Sequence, residues 1–250
     1  MHLDIHRSFR SSKVPDVDAT FWFLKILTTA MGEATSDFLV HRFSPALAVL
    51  GGAVVFAVVL YWQLRSPRYL VVTYWSAVVM VSVFGTMCAD VVHVGFGVPY
   101  LISTIGFAIA LVAVFSTWQR TEKTLSIHSI VTTRRELFYW ATVTTTFALG
   151  TAAGDMTANT LHLGYFSSGV LFAVLITLPG LGLRYLKLNA IAMFWSAYIL
   201  TRPLGASFAD WAGVSHVRGG LNWGPGNVAM LLSAAICLVV WSLARRARRR

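Results

Sequence analysis

The chain has 250 residues, of which 56% are apolar and 12% are charged, and its net charge is +10. An ordinary soluble domain carries roughly 25% charged residues, so the composition excludes a typical soluble protein. The basic residues lie between long uncharged segments, which argues against a nucleic-acid-binding surface and predicts a membrane protein.

Apolar segments follow one another along the chain, each about 20 residues long, which is the length that crosses a hydrocarbon core of about 30 Å. Residues 45–64 and 98–118, for example, contain no charged side chain. The sequence predicts transmembrane helices at 20–40, 45–65, 69–92, 98–119, 137–158, 164–184, 188–211 and 227–246. A polar segment, 1–18, precedes this single transmembrane domain, 19–246, and a basic tail, 247–250, follows it.

Lys and Arg residues are concentrated at both chain ends and in the even-numbered loops, including the central loop 120–136. Cytoplasmic loops of membrane proteins carry such an excess, so both termini and the even loops are expected in the cytoplasm. The basic face is expected to contact anionic lipid headgroups. Cys88 and Cys237 both lie within predicted helices, so no disulfide framework is indicated.

One motif recurs four times, always on an odd-numbered predicted helix. An aromatic residue precedes a Trp, a Gly follows ten residues after the Trp, and an Asp follows five residues after the Gly. The motif divides the chain into four repeats of two helices, 19–68, 69–119, 137–187 and 188–246. The Trp residues are Trp22, Trp75, Trp140 and Trp195, and the Gly residues are Gly32, Gly85, Gly150 and Gly205.

Two crossings per repeat give all four copies the same orientation. The predicted fold is therefore an all-α membrane protein of eight transmembrane helices, arranged as four parallel two-helix repeats with pseudo-fourfold symmetry about the membrane normal. A linear or two-plus-two arrangement is the alternative. At 1.5 Å per residue, each Asp lies about 22 Å beyond its Trp, so the four aspartates are expected to form a layer in the outer part of the membrane.

Five acidic residues lie on these odd-numbered helices: Glu33, Asp37, Asp90, Asp155 and Asp210. Ionisable groups at membrane depth are costly and usually face a bundle interior or a cavity. Carboxylate oxygens suit hard divalent cations such as manganese. The sequence therefore predicts a metal-ion site at these five residues, unless the aspartates simply meet water at the helix ends.

A histidine follows each aspartate, at offsets that differ between repeats: His41, His93, His162 and His216. Imidazole would move the preference toward transition metals, and Cys88 beside Asp90 would add a soft ligand. The alternative is that the histidines lie in headgroup water and that Cys88 is a packing residue.

Lys25 and Arg202 are the basic residues within the predicted helices. Lys25 is either an internal counter-charge or a side chain that extends to the interface. Arg202 lies deeper and precedes Pro203, which frees a carbonyl in the preceding turn. Arg202 is therefore the better candidate for an internal ion pair, with Glu33 or with an aspartate, and both residues are expected to tune the charge of the acidic layer.

Several segments resemble a family of bacterial inner-membrane proteins generally labelled "uncharacterised membrane-anchored protein". The resembling segments are 13–15, 21–27, 31–33, 124–130 and 198–207. The resemblance covers nearly the whole chain beyond residue 12 and implies a location in the bacterial cytoplasmic membrane, but it implies no particular activity. The Gly-to-Asp motif, Lys25 and Arg202 match the family pattern, whereas the histidines do not clearly belong to it.

The leading functional hypothesis is a cation transporter or channel for a divalent metal ion such as manganese, which would be its substrate. An enzyme is not expected, since no arrangement of Ser, His and acid stands out, and no tightly bound cofactor is expected. The alternatives are a membrane scaffold or sensor that binds other proteins, and a haem or quinone redox protein. The sequence indicates no oligomeric state.

Overall fold

The computed structural model describes residues 12–249, so the first eleven residues of the predicted N-terminal segment and the last residue of the tail lie outside the described residues. The described chain is all-α. Its helices are α1 (Ala19–Arg42), α2 (Pro45–Arg65), α3 (Val71–Asp90), α4 (Tyr100–Glu122), α5 (Thr133–Asp155), α6 (Gly164–Leu175), α7 (Thr177–Tyr185), α8 (Ala190–Gly213) and α9 (Pro225–Arg248). The central loop is shorter than predicted, at 123–132.

Five helices are long and apolar enough to cross a membrane: α2, α3 with the short π-helix that follows it, α4, α6 continued by α7, and α9. The helices α1, α5 and α8 have 24, 23 and 24 residues but contain more polar side chains. Many of those polar side chains are buried in the bundle. A helix with polar residues tolerates a central position when its neighbours supply the partners.

The inner helices α1, α3, α5 and α8, which carry the repeated motif, form a closed ring. In this ring α3 packs against α1 and α5, and α8 packs against α5 and α1. Each of the four repeats contributes one inner helix, and sequence neighbours are also spatial neighbours. The last inner helix contacts the first, so the ring closes between the ends of the chain.

The outer helices cover this ring in a shifted pattern, since each packs mainly on the inner helix of the next repeat. Thus α2 packs on α3, α4 on α5, α6 on α8, and α9 returns to α1. Their other faces leave large apolar side chains exposed, among them Leu47, Val112, Val174 and Leu238. The result is an apolar outer surface around a more polar core.

The two ends of the bundle differ, and we call them the tryptophan end and the aspartate end after the repeated motif. At the tryptophan end, the strap (residues 12–18) and the loop 123–132 lie across the inner helices. The buried Lys13 ammonium forms an ion pair with the buried Glu136 carboxylate, and the Gln63 amide donates to the same carboxylate over 2.8 Å. Ile127 and Ile130 of the loop are buried in the aromatic core. This end of the ring is therefore closed.

Candidate functional site

The aromatic residue of each motif packs on the Trp of the next repeat. The ring centroids are 6.0 Å apart for Phe21 and Trp75, and 5.7 Å apart for Tyr74 and Trp140. The two remaining contacts join Tyr139 to Trp195 at 6.2 Å and Phe194 to Trp22 at 5.7 Å. The aromatic pair of the motif therefore forms a cyclic collar at the tryptophan end, which explains why both residues repeat.

The glycine of each motif contacts the inner helix of the next repeat closely, because a glycine has no Cβ at the point where that helix passes. A methyl group at Gly32 would overlap Ser82, and one at Gly85 would overlap Phe147. Likewise, Gly150 faces Arg202, and Gly205 faces Thr29. The four facing residues all lie seven positions after their own Trp. Small residues allow membrane helices to approach closely, so the glycines fix the ring at the same contact four times.

Arg202 extends from α8 into the centre of the ring. Its Nη2 contacts the Glu33 carboxylate and the Thr86 hydroxyl and donates to Thr151 Oγ1 over 2.6 Å. Its Nη1 donates to the Thr29 carbonyl over 3.2 Å. We call these four oxygen-bearing groups the arginine cage. Because they come from α1, α3 and α5, one guanidinium from α8 joins all four inner helices at their axis.

Lys25 lies closer to the tryptophan end, and its side chain is also buried, with 1% of its surface exposed. Its ammonium nitrogen lies 4.1 Å from the ring centroid of Phe147 and 4.0 Å from that of Tyr198. Among residues 12–249, it has no hydrogen-bond partner. Lys25 therefore points into the bundle and is held by two aromatic faces rather than by a carboxylate.

The four aspartates lie at the other side of the cage. Asp37, Asp90 and Asp155 each follow a cage residue by four positions on the same helix, and residues four apart share a helix face, about 6 Å along the axis. All four aspartates are half-buried, and Ser36 Oγ donates to Asp90 over 3.4 Å across the α1–α3 contact. Asp37, Asp90 and Asp155 thus lie about one helical turn beyond the arginine cage, on the side away from the tryptophans.

In residues 12–249, no group of three or more His, Cys, Asp and Glu side chains is placed to hold a metal ion. His41 bonds the carbonyl of Asp37 at 2.6 Å, and His216 bonds the carbonyl of Gly220 at 2.8 Å. His93 is buried against Ser103 and Tyr100, while His162 is exposed. Cys88 is a free, partly buried thiol. The structure therefore brings neither the histidines nor Cys88 into a metal-ligand group with the aspartates.

Two of the aspartates are followed directly by π-helical turns. These turns are Val91–Gly95 after Asp90 and Met156–Thr160 after Asp155. Short π-helical segments occur often at functional positions, where they shift the direction of side chains. The α1 and α8 helices have no such turn after Asp37 and Asp210, so the aspartate end is less symmetric than the collar.

Fold and site together define an all-helical protein of four repeats, five of whose described helices are long and apolar enough to cross a membrane. The chain belongs to the family described as a Repeat of Unknown Function (DUF347), which matches it over residues 20–69, 73–124, 138–185 and 193–249. Neither a curated protein nor a solved structure shows a significant match to the chain. The four matched segments agree with the four repeats predicted from the Trp, Gly and Asp spacing.

Sequence comparison of the repeats missed three of the cage residues. Thr29 is in the position of Ser82, Phe147 and Arg202, and Thr86 is in the position of Glu33, Thr151 and Ala206. The first position holds four different residue types and the second holds three, with threonine in two repeats, so neither position is identical in all four repeats. The signal available was their offset from the repeated Trp: seven and eleven residues, on either side of the glycine.

Proposed function

We propose that this protein is a cation transporter or channel of the bacterial cytoplasmic membrane. In this proposal, eight helices cross the bilayer with pseudo-fourfold symmetry about its normal. The closed ring of inner helices and the shifted packing of the outer helices support that arrangement. The basic loops and the basic end of α9 support a cytoplasmic tryptophan end, so the aspartate end would face outward.

The observation that carries the proposal is the axial order of charges. Four half-buried aspartates surround the outer side of the ring, and the Arg202–Glu33 ion pair lies one turn deeper at its centre. A carboxylate layer raises the local concentration of cations. The Glu33 charge is already matched by Arg202, so the four aspartates are the groups left to attract a cation from outside.

The structure corresponds to a closed state of the proposed pathway. The Arg202 guanidinium occupies the axis, and the Tyr74 and Tyr139 hydroxyls meet at 2.5 Å nearer the tryptophan end. The loop 123–132 and the strap cover that end. Transport would therefore require Arg202 to leave the axis and the tyrosine pair to separate.

Manganese is one cargo to test, because carboxylates and carbonyls suit it. The aspartates and Glu33 are not gathered into a ready metal-binding group within residues 12–249. The proposal therefore concerns a cation that the aspartates attract, and it does not depend on a resident metal centre or a bound cofactor.

The test is cation flux into liposomes that contain the purified protein. Each aspartate is changed to asparagine in turn, and uptake of manganese, potassium, protons and guanidinium is measured at a fixed membrane potential. We expect a loss of about tenfold or more in the uptake of the transported ion for at least two variants. Asp16→Asn, an exposed carboxylate at the tryptophan end, is the matched control. Flux equal to that of the unmodified protein in all four variants would refute the proposal.

A scaffold or sensor is the second candidate, and the closed axis favours it. In that case the Arg202–Glu33 pair and the aspartates would only hold the helices together, and the exposed Arg245, Arg248 and Arg249 near the end of α9 would contact a partner. Purification of a stoichiometric partner, together with no flux of any tested ion, would favour this function. The haem alternative is tested by the absorbance spectrum of the purified protein, in which a Soret band is not expected.

A further inference from the structure

In the arginine cage, one nitrogen is surrounded by more oxygen atoms than it has hydrogens to donate. Nη2 of Arg202 carries two hydrogens, yet it faces three oxygens from three helices: the Glu33 carboxylate and the Thr86 and Thr151 hydroxyls. Several oxygens converging on one positive centre is how proteins surround a bound cation. The cage therefore has the form of a cation site that is filled by a side chain.

Both hydroxyls present lone pairs to the cage, because their hydrogens are already used. Thr86 Oγ1 donates to the Ser82 carbonyl over 2.9 Å, and Thr151 Oγ1 donates to the Phe147 carbonyl over 3.2 Å. These donations fix each oxygen as an acceptor toward the axis. The cage would keep this orientation without Arg202, since the donations lie within α3 and α5.

The charge and chemistry of the cage select the class of cation. Without Arg202 it holds one carboxylate, two hydroxyls and the Thr29 carbonyl, a net charge of −1. A monovalent cation matches this charge within the cage itself. The Phe147 ring lies 4.1 Å from the Lys25 ammonium and 5.3 Å from Arg202 Cζ, measured from its centroid, so it contacts both cations. Its aromatic face favours a planar organic cation over a small metal ion at the Arg202 position.

We propose that the arginine cage is a binding site for a monovalent, hydrogen-bond-donating cation of the guanidinium class, and that Arg202 is its tethered occupant in the closed state. The inference rests on the proposed transport function for the route by which a free cation reaches the cage. It names the substrate class that the axis accepts once the aspartates have attracted it.

Two local features allow Arg202 to move. The stem of its side chain passes over Gly150, where no Cβ obstructs it, and Pro203 within α8 removes one backbone hydrogen bond beside it. Its Nε is buried and has no acceptor among residues 12–249. The hydrogen bonds of Arg202 are therefore made by its Nη groups alone, and the helix that carries it lacks one backbone hydrogen bond at the next residue.

The test is binding rather than flux. Arg202→Ala is purified in detergent micelles, and its thermal midpoint is measured with guanidinium chloride from 0 to about 20 mM, far below denaturing concentrations. We expect a saturable rise of about 5 °C. The same titration should leave the wild-type chain and the exposed-residue control Arg68→Ala unchanged, because Arg202 fills their cage. Sodium chloride at equal ionic strength should have no effect.

Cage variants in the Arg202→Ala background show whether the ligand binds where the structure indicates. Thr86→Val and Thr151→Val should each weaken the guanidinium response about tenfold, and Glu33→Gln should abolish it. If Arg202→Ala does not fold alone, guanidinium added during expression and purification should restore a monodisperse protein, whereas equimolar urea should not.

A folded Arg202→Ala without a saturable response, an equal response to sodium, or no recovery of folding with guanidinium would each overturn the inference. A failure of transport would not overturn it. If the protein binds guanidinium but transports no ion, the inference about the cage stands and the proposed function is wrong. If the protein transports ions but shows no guanidinium response, the proposed function stands and the inference about the cage is wrong.

Discussion

Arg202 and Glu33 form an ion pair between the last and the first repeat, 169 positions apart in the chain. Their side chains are 1% and 5% exposed, and the pair lies where the four inner helices meet. It therefore joins the two ends of the repeat array in the buried interior of the bundle. The closure of the ring and the charge of the axis depend on the same two side chains.

Loss of both partners should cost less than the sum of the two single losses. Glu33→Gln leaves a buried guanidinium without its counter-charge, and we expect it to destabilise the protein by about 3–5 kcal/mol. The double variant Glu33→Gln with Arg202→Met leaves no charge at this site and should lose less than the sum of the single variants. Unfolding in a denaturing detergent titration measures all three free energies.

The two single variants need not be equal in that cycle. Arg202→Met leaves the Glu33 carboxylate with the two threonine hydroxyls, whose hydrogens already bond within their helices. It should therefore destabilise at least as much as Glu33→Gln. Strict additivity in the cycle would show that the two charges do not stabilise each other.

A methyl group added at a glycine should destabilise the protein more when atoms of a neighbouring helix lie close to that glycine. Gly150→Ala would force the Cβ and Cγ atoms of Arg202 away from α5, and we expect a loss of about 1–3 kcal/mol. Gly51→Ala on α2 meets no neighbouring atom and should be neutral or stabilise by up to about 1 kcal/mol through helix propensity. Thermal midpoints in the same detergent compare the two, and equal midpoints would contradict the close contact.

The repeat architecture was predictable because the collar, the glycine contact and the aspartate layer require the same residue types in every copy. Four Trp–Gly–Asp spacings, with apolar segments between them, indicate four two-helix repeats. The neighbour of each outer helix was not predictable. A short loop joins α1 to α2, yet α2 packs mainly on α3, and lipid-facing apolar residues on an outer helix do not encode which inner helix lies behind it.

The axial site was predictable only in part. Glu33, Lys25 and Arg202 were apparent because charges are rare in apolar helices, and helical spacing placed the aspartates in one layer. The threonines of the cage were not, since threonine is common in these helices and its hydroxyl usually bonds its own backbone. Only the approach of Arg202 from α8 distinguishes Thr86 and Thr151 from the other threonines of α3 and α5.

The strap should contribute to stability through one buried ion pair. Lys13→Ala removes the counter-charge of Glu136, a fully buried carboxylate, so we expect a loss of about 3–5 kcal/mol. Glu136→Gln with Lys13→Met should restore part of it. Arg68→Ala removes an exposed cation from the same end and should change the stability by less than about 0.5 kcal/mol. A Lys13→Ala variant as stable as Arg68→Ala would show that the strap does not hold this end closed.

Labelling from outside intact cells tests the orientation of the bundle. Val217 lies between α8 and α9 at the aspartate end and is 98% exposed, while Arg68 is exposed at the tryptophan end. With Cys88 and Cys237 replaced by alanine, we expect a membrane-impermeant maleimide to label Val217→Cys in intact bacterial spheroplasts and Arg68→Cys only after permeabilisation. The reason is the excess of basic residues at the tryptophan end, which disfavours its translocation. The reverse labelling would place the aspartates toward the cytoplasm, and the proposed direction of entry from outside would then be wrong even if the axis conducts cations.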